Sequence, residues 1–494
     1  MGIELQSPLG RLADWVRASD RSAPEYLPLL AQAQRILSGE EDAPQAQRQH
    51  LADELERWRY QHLDEHRQRL TTEDRRLADA LDLAANQLSG RNPRPPRWPR
   101  AAIEDVYGLS QAVLPSPRLR GEDVYGLSQA VLPSPRLRGE GPGVRGLGIG
   151  SYCRSDQVGL AAACLDRDLS LEELARRATE LTLEHFSAPT SHPGGTRRRM
   201  LLYAPLYLSS HCVNHCVYCG FRAPHNIQRR HLAREEALCQ AEILLGRGFR
   251  HVLLVAGDFP GLTTTEYCAG VIRGLADRGI SPAIEIAPQS TSSYAELLAA
   301  GACGITLYQE TYHEELYALY HPRGSKASYD WRLEGVERAA EAGMGRLGLG
   351  ILLGLADPRQ DLLAMIRHAE YLHARFPDRT LAFSLPRIHQ APDGFRPPYP
   401  VDDETFIRLY CALRVAFPHA ELVLSTREAA PLRNRLATIC ITQLSAGSST
   451  VPGGYEDGAA AGPYGGQFPV SDHRTPAEVT QWLEAAGFEV AWSV

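Results

Sequence analysis

From Met200 onward the sequence alternates short β-rich runs with longer helical stretches, and this alternation limits the fold more than any other feature. Short apolar, β-branched runs are typical of buried strands. The runs are 201–208, 251–255, 283–286, 304–308, 347–353, 381–385, 421–424 and 439–444. The helical stretches include 234–245, 264–276, 329–342, 362–374 and 404–416. Eight β/α units in about 245 residues predict an α/β protein with a TIM-type (β/α)8 barrel, and an open doubly wound sheet is the alternative.

The unusual residues follow the ends of these predicted strands. In a (β/α)8 barrel the loops after the strands meet at one rim, where the chemistry takes place. Polar and glycine-rich clusters occur at 212–219, 257–258, 288–290, 309–311, 354–357, 386–387, 425–428 and 445–448. Each cluster follows a different predicted strand. The sequence therefore predicts one active site at this rim.

Three cysteines in the first of these loops are spaced to bind a metal centre with an open position. Cys212, Cys216 and Cys219 form a C-x3-C-x2-C pattern, whereas an ordinary [4Fe-4S] cluster takes four cysteines. One iron would be left for another ligand, as at catalytic zinc sites with three protein ligands. A structural zinc site completed by His211 or His215 is the alternative. Such sites usually pair two separated ligand hooks, and the sequence shows no second hook.

The cysteine loop resembles the signature of the radical S-adenosylmethionine (SAM) family, and several other segments resemble its tyrosine lyases. These segments are 203–207, 307–313, 330–333, 383–387, 424–428 and 453–455. The resemblance covers roughly residues 160–490. It implies that a [4Fe-4S] cluster on Cys212, Cys216 and Cys219 binds SAM. One electron from the cluster then cleaves SAM to methionine and a 5'-deoxyadenosyl radical.

The resemblance also implies which residues bind SAM through their backbone. Gly257 and Asp258 stand in place of a Gly-Gly-Glu-like motif that holds the SAM ammonium, with Asp258 shorter than the usual glutamate. Gly354 belongs to a segment, 350–357, that resembles the family's adenine-contacting strand. Tyr218 is expected beside the cluster, with its backbone approaching adenine.

Glu310 and Arg332 are expected to bind opposite charges on the methionine part of SAM. They lie in the two most distinctive matching segments, 307–313 and 330–333. An ion pair that only stabilises the rim is the alternative for both residues.

By resemblance, the reaction cleaves the Cα–Cβ bond of L-tyrosine to p-cresol and 2-iminoacetate (dehydroglycine), which supplies the thiazole of thiamin. A guanidinium matches the substrate carboxylate bidentately, and Arg387 and then Arg427 are the catalytic candidates. A structural salt bridge is the alternative for either. A flavodoxin or ferredoxin is expected as electron donor, and thiazole synthase is a further expected partner.

Two features bear on the substrate. His389 stands where relatives commonly have a second arginine, which leaves open a diverged lyase that acts on another amino acid. A maturase-like lyase would need ligands for an auxiliary cluster near its C-terminus, whereas the last cysteine here is Cys440. A non-catalytic zinc or iron–sulfur binding module is the alternative from a different class.

Composition favours a small polar substrate over a macromolecule. A net charge of −7 provides no basic footprint for nucleic acid and no polybasic membrane anchor. The longest apolar run, near 347–356, is too short for a membrane span. Irregularly spaced cysteines are typical of a reducing compartment, so a cytoplasmic enzyme is expected.

The domain organisation follows from composition. Residues 1–103 are predicted as an N-terminal helical appendage, 148–199 as a helical lead-in, 200–450 as the barrel and 451–494 as a C-terminal extension. Residues 104–147 are predicted as a flexible linker, because the string 104–121 is repeated without change at 122–139 and is rich in Pro, Arg and Gly.

Overall fold

The computed structural model describes residues 26–62, 81, 84–85, 88, 157–189, 196–456 and 466–494. In these ranges ten strands form one sheet: β1 (Ser187–Pro189), β2 (Thr196–Ser209), β3 (His251–Ala256), β4 (Ser281–Glu285), β5 (Gly304–Glu310), β6 (Arg346–Ile351), β7 (Thr380–Ser384), β8 (Glu421–Leu424), β9 (Gln443–Ser445) and β10 (Phe488–Ala491).

Helices alternate with the strands along the chain. They are α1 (Tyr26–Ser38), α2 (Gln45–His62), α3 (Gln157–Cys164), α4 (Leu171–Phe186), α5 (Arg234–Gly246), α6 (Thr265–Ala276), α7 (Thr291–Ala299), α8 (Glu314–Tyr320), α9 (Tyr329–Leu333), α10 (Gly335–Glu341), α11 (Pro358–Arg375), α12 (Asp403–Ala416), α13 (Ala430–Ile439) and α14 (Pro476–Ala485). Short 3-10 turns occur at Ser325–Ala327 and Pro392–Gly394.

Strands β2 to β9 form a closed barrel. Each strand from β2 to β9 pairs in parallel with the next, and β2 also pairs in parallel with β9. The closing register aligns Leu201 with Gln443 and Tyr203 with Ser445. The predicted α/β class and (β/α)8 barrel are therefore confirmed, and the open doubly wound sheet is wrong.

The first and last barrel strands differ from their predicted bounds. Strand β9 begins at Gln443 rather than at 439, because α13 continues to Ile439 and the Cys440 N–H still donates to the Leu436 carbonyl at 2.9 Å. A short apolar run can end a helix as readily as it can form a strand. Strand β2 begins at Thr196, five residues before its predicted start, because β1 and β10 both pair with its first half.

The C-terminal region adds to this sheet. Strand β10 runs parallel to β2 and aligns Phe488 with Arg198, whose guanidinium lies 5.3 Å from the Phe488 ring centroid. Helix α14 packs against β10 and begins with a capping box, in which Thr475 and Glu478 satisfy each other's backbone N–H groups. These contacts bring residues 466–472 back to the barrel.

Helix α12 shows how an outer helix starts and packs, and its residues 406–416 are buried on every face. In α12 the Asp402 carboxylate accepts from the Thr405 N–H at 2.7 Å and starts the helix. Phe406, Leu409 and Leu413 are then buried, and the helix packs against α3 and α4. Helix α11 also begins at a capping aspartate, because the Asp357 carboxylate accepts from two backbone N–H groups. This member of the predicted adenine segment 350–357 is therefore a helix cap.

Helices α1 and α2 are the described part of the predicted N-terminal appendage, and α2 contacts α7 on the barrel. The predicted linker 104–147 lies outside the described residues, so its flexibility and the domain bounds stay predictions. Within the described ranges, no helix combines the length and apolarity that crossing a bilayer would require.

Candidate active site

The cysteine loop follows β2 at the carboxyl rim and is held by backbone hydrogen bonds. The Val213 N–H donates to the Asp258 carbonyl at 2.8 Å, and the Cys219 N–H donates to the Cys216 carbonyl at 3.2 Å. The Gly220 N–H donates to the Gln467 carbonyl at 3.1 Å. The loop is thus fixed to β3 on one side and to the C-terminal region on the other.

The three thiols share one enclosed space. Burial, and to a smaller extent the charge of Cys219, raises the pKa of Cys212 to about 11. Burial also raises the pKa of Cys216 and of Cys219, while the Lys326 ammonium lowers both. Cys216 and Cys219 belong to one buried cluster, and Cys212 packs against it. A metal ion binds and stabilises the thiolate form, so the three-thiol donor set fits an iron–sulfur cluster.

The described residues contain no group of three His, Cys, Asp or Glu side chains that converges on a single metal ion.

Tyr218 is anchored by a relay of hydrogen bonds. Its hydroxyl lies 2.8 Å from Nε2 of His321, and Nδ1 of His321 lies 2.7 Å from the Tyr317 carbonyl. A carbonyl only accepts, so Nδ1 carries the proton and Nε2 accepts from Tyr218. Burial keeps this imidazole neutral by lowering the pKa of His321 well below its ordinary value. The tyrosine hydroxyl is therefore satisfied, and its backbone lies between two predicted cluster ligands.

Gly257 and Asp258 connect β3 to the cysteine loop. The Gly257 N–H donates to the Ser209 carbonyl at 2.9 Å, and a Cβ at 257 would collide with the His211 carbonyl oxygen. Only glycine permits this approach. The Asp258 carboxylate accepts from Asn214 Nδ2 at 3.1 Å and from the Ser325 hydroxyl. Its side chain therefore braces the loop, so a role toward SAM is left to the backbone.

Glu310 and Arg332 are brought together, and Lys326 joins them. Lys326 Nζ lies 2.5 Å from Glu310 Oε1, and an Arg332 Nη2 lies 3.8 Å from the same oxygen. Arg332 Nε also donates to the Tyr308 carbonyl at 2.6 Å. Glu310 has a φ of 71°, a rare conformation for a residue with a side chain. This backbone turns its carboxylate toward the two cations beside the thiols.

Gly354 follows β6 in a conformation that favours glycine. Its φ is 117°, and a Cβ there would lie 2.7 Å from Pro397 Cβ. Its carbonyl accepts from the Tyr399 N–H at 3.1 Å. The glycine lets the segment around Tyr399 cross the rim at close distance.

Arg387 is fully engaged inside the protein. Its Nε donates to Glu428 Oε1 at 3.0 Å, and its Nη2 donates to Glu428 Oε2. Its Nη1 lies 2.9 Å from Asp403 Oδ1. His389 Nε2 lies 3.0 Å from Glu428 Oε1 and shares that carboxylate. The alternative of a structural salt bridge therefore describes the contacts of Arg387 better than a free carboxylate anchor does.

Arg427 has the opposite character. Its guanidinium lies 3.5 Å from the centroid of the Phe468 ring, and its buried Nη1 has no hydrogen-bond partner in the described part of the chain. The charge of Arg427 acts on Tyr207 inside the barrel. Stacking on Phe468 fixes the orientation of the guanidinium, and the open Nη1 remains available to a ligand.

Two contributions to the site went unrecognised in the sequence. Lys326 is the only lysine of the 494 residues, although lysine and arginine together number 52. That rarity was the available signal. Gln467 and Phe468 come from the C-terminal region: the Tyr207 hydroxyl donates to Gln467 Oε1 at 2.8 Å, and Phe468 covers Arg427. No motif marks these two residues.

A closed parallel barrel with three thiols at its carboxyl rim defines the class: this is a radical SAM enzyme. The radical SAM superfamily model matches residues 206–369, and the Biotin and Thiamin Synthesis associated domain matches residues 384–489. A 2-iminoacetate synthase of Escherichia coli (strain K12) is 35% identical over 323 residues, which are 65% of this chain and 82% of that relative. The chain belongs to the radical SAM tyrosine lyase family, which includes 2-iminoacetate synthase.

Solved structures agree with this assignment. The FeFe-hydrogenase maturase HydG from Carboxydothermus hydrogenoformans superposes with a TM-score of 0.60 at 32% identity, covering 68% of this chain and 75% of that chain. A methylornithine synthase superposes with a TM-score of 0.54 at 21% identity, covering 69% of this chain and 96% of that chain, and supports the fold alone. The predicted family, the [4Fe-4S] cluster and SAM are thereby confirmed. The protein is a radical SAM lyase, so the non-catalytic metal module is wrong.

Proposed function

We propose that this enzyme cleaves the Cα–Cβ bond of L-tyrosine to p-cresol and 2-iminoacetate for thiamin thiazole formation. The observation that carries the proposal is the match to a 2-iminoacetate synthase over 82% of that relative's length. Electrons would come from a flavodoxin or ferredoxin, and the product would pass to thiazole synthase. The enzyme would work in the reducing cytoplasm, where thiols remain available to iron.

The three rim cysteines would hold the cluster, and Gly257, Glu310 and Arg332 would contact SAM. When bound, this cofactor supplies the 5'-deoxyadenosyl radical that removes hydrogen from the substrate amino group. The remaining work is positioning, which belongs to the protein side chains.

Arg427 is the better anchor for the tyrosine carboxylate. Its open Nη1 can donate to a carboxylate, whereas both sides of the Arg387 fork already bind Glu428 and Asp403. Arg387 and His389 then act indirectly: both bind Glu428, which is the neighbour of Arg427 in the sequence. Phe468 and Tyr207 enclose the mouth and limit water around the reacting atoms.

A lyase that acts on another amino acid is the second candidate. It is favoured by His389, which stands at the position of a common family arginine and binds Glu428 at 3.0 Å. An imidazole supplies fewer donors than a guanidinium, so this position would offer a substrate different contacts from those of the arginine.

The test is anaerobic reconstitution with iron and sulfide, followed by dithionite, SAM and each aromatic amino acid in turn. We expect p-cresol and 5'-deoxyadenosine from L-tyrosine, and neither product from Cys216→Ala. Formation of 5'-deoxyadenosine with intact tyrosine and consumption of another amino acid would transfer the assignment to the second candidate.

A further inference from the structure

Glu285 is a carboxylate on the inner face of the barrel, and the proposed contacts to the cluster and SAM do not involve it. Tyr207 aligns with Val255, and Val255 aligns with Glu285. Aligned residues of neighbouring strands face the same side, as do residues two apart on one strand. Leu253, two residues before Val255, lines the interior cavity of the barrel together with Tyr203 and Tyr308. Glu285 therefore points into the barrel lumen.

Glu285 makes no hydrogen bond and no ion pair within the described part of the chain, yet charged groups surround it. Strand β4 ends at this residue, so its carboxylate lies at the level of the rim loops. Glu285 is half-buried, and a carboxylate that no protein group satisfies is available to a ligand. Burial raises the pKa of Glu285 to about 7, although the charge of Arg427 opposes this shift.

Arg427 and Glu285 thus present opposite charges to one space. Their side chains are within electrostatic reach but form no ion pair, and Arg427 keeps one buried N–H open. An α-amino acid carries a carboxylate and an ammonium on one carbon, so it can bridge such a pair of groups. A guanidinium suits the carboxylate, and a carboxylate suits the ammonium.

We propose that Glu285 binds the amino group of the substrate and takes one proton from its ammonium form, while Arg427 holds the α-carboxylate. An N–H bond of the ammonium breaks, an O–H bond forms on Glu285, and no electron moves in this step. The neutral amine then offers an N–H hydrogen to the radical. This inference rests on the proposed function, because only that chemistry begins at the amino group.

Proton transfer in this direction suits the environment of the lumen. It converts an ion pair into two neutral groups, and burial, the largest cause of the raised pKa of Glu285, favours the neutral carboxyl group. The carboxyl group is also matched to its task, since a base works best when its pKa is near the working pH.

The test compares Glu285→Gln with Glu296→Gln, the same chemical change on the exposed face of α7. Both variants are reconstituted anaerobically, and ligand affinity is measured by calorimetry with SAM present. We expect Glu285→Gln to lower the affinity for L-tyrosine by about 10-fold or more, because a charge-assisted hydrogen bond is lost. Affinity for 3-(4-hydroxyphenyl)propanoate, which lacks the amino group, should be unchanged. Glu296→Gln should match the wild type with both ligands.

Kinetics provide the second readout. Loss of a general base should slow p-cresol formation by about 100-fold or more, and Glu285→Asp should recover part of the rate. In the wild type the rate should rise with pH as Glu285 loses its proton, and this ascending limb should vanish in Glu285→Gln. The other charged and titratable groups facing Glu285 are Tyr203, Tyr207, Tyr308, Glu310, Lys326, Arg332 and Arg427.

Several results would overturn the inference. Unchanged tyrosine affinity and rate in Glu285→Gln would do so, as would equal weakening of tyrosine and of the deaminated analogue. A lower affinity for L-tyrosine with an unchanged affinity for L-phenylalanine would show that Glu285 binds the phenol hydroxyl instead. If the wild type leaves tyrosine intact and consumes another amino acid, the same comparison with that amino acid and its deaminated analogue decides the role of Glu285 separately.

Discussion

At the scale of single residues, the site depends on charges that are paired beside the thiols. The only lysine of the chain lies between Glu310 and the ring of Tyr218, with Nζ 5.7 Å from the ring centroid. Its charge lowers the pKa of Cys216 against the effect of burial, which favours the thiolate that is proposed to bind iron. The ammonium is small, and its Nζ lies 2.5 Å from Glu310 Oε1. The compact ammonium therefore suits this position.

Lys326→Met should destabilise the fold and the cluster together. The substitution leaves Glu310 buried with Arg332 at 3.8 Å as its nearest cation. Removal of one partner from a buried pair costs about 3 kcal/mol in the free energy of unfolding. Chemical denaturation and iron analysis measure both effects. Lys326→Arg, which keeps the charge, is the control, and a Lys326→Met protein as stable as the wild type would contradict the argument.

Arg427→Lys and Arg387→Lys should fail in different ways. Arg427 offers an open N–H, so Arg427→Lys should raise the KM for the substrate with little change in stability. Arg387 binds Glu428 on two sides, and Arg387→Lys should instead lower the free energy of unfolding by about 2 kcal/mol. Steady-state kinetics and thermal melting separate the two outcomes. A KM effect confined to Arg387→Lys would reverse the assignment.

At the scale of elements, the C-terminal segment 466–472 behaves as part of the active-site rim. The Gln467 N–H donates to the Thr450 carbonyl at 3.1 Å, and the Ser471 N–H donates to the Thr426 carbonyl at 2.8 Å. Asp472 ends the segment and pairs with Arg433, which is 1% exposed, and with Arg474 at 2.6 Å. The position of Phe468 over Arg427 depends on this anchor.

Asp472→Asn should release the segment and destabilise the protein. Without the carboxylate, Arg433 is a buried charge with no counterion, at a cost of about 3–5 kcal/mol. Glu484→Gln, on the exposed face of α14, is the matched control and should leave stability unchanged. Urea denaturation gives the comparison, and equal midpoints for the two variants would refute the anchor.

The ion pair of Asp472 with Arg433 also makes the free energy of unfolding depend on pH in the acidic range. Burial raises the pKa of Asp472, but the hydrogen bond from Arg474 and the charge of Arg433 outweigh it and hold the pKa at about 2. The folded value is below the unfolded value of 3.8, so the contribution is complete above pH 3.8 and is lost as the pH falls toward 2. Asp472→Asn should lack this loss over the same pH range.

At the scale of the whole molecule, the catalytic unit is the barrel with its C-terminal addition. The family models begin at residue 206 and end at residue 489, and β10 and the segment 466–472 fall within the second of them. Helix α2 contacts the barrel through α7, on its outer surface. The described part of the N-terminal region thus supplies no residue to the site.

Deletion of residues 1–147 should therefore leave a folded, active enzyme. We expect the melting temperature to change by less than about 2 °C and the iron content and rate to match the full chain. Thermal melting and product assay after reconstitution provide the measurement, with the full-length chain as reference. A loss of cluster assembly in the shortened protein would show that these residues support the barrel.

The sequence by itself determined the barrel, the cluster loop and the rim on which the site lies, because these features are local patterns. The apolar runs locate each strand, although the starts of β2 and β9 differ from prediction, and Cys212, Cys216 and Cys219 lie close together in one loop. Only the tertiary structure decided which guanidinium is open, since Arg387 meets Glu428 across 41 residues of sequence. It also decided that Glu285 faces the lumen and that Phe468 covers Arg427. Such contacts join residues distant in sequence, and no local pattern encodes which side chains will meet when the barrel closes.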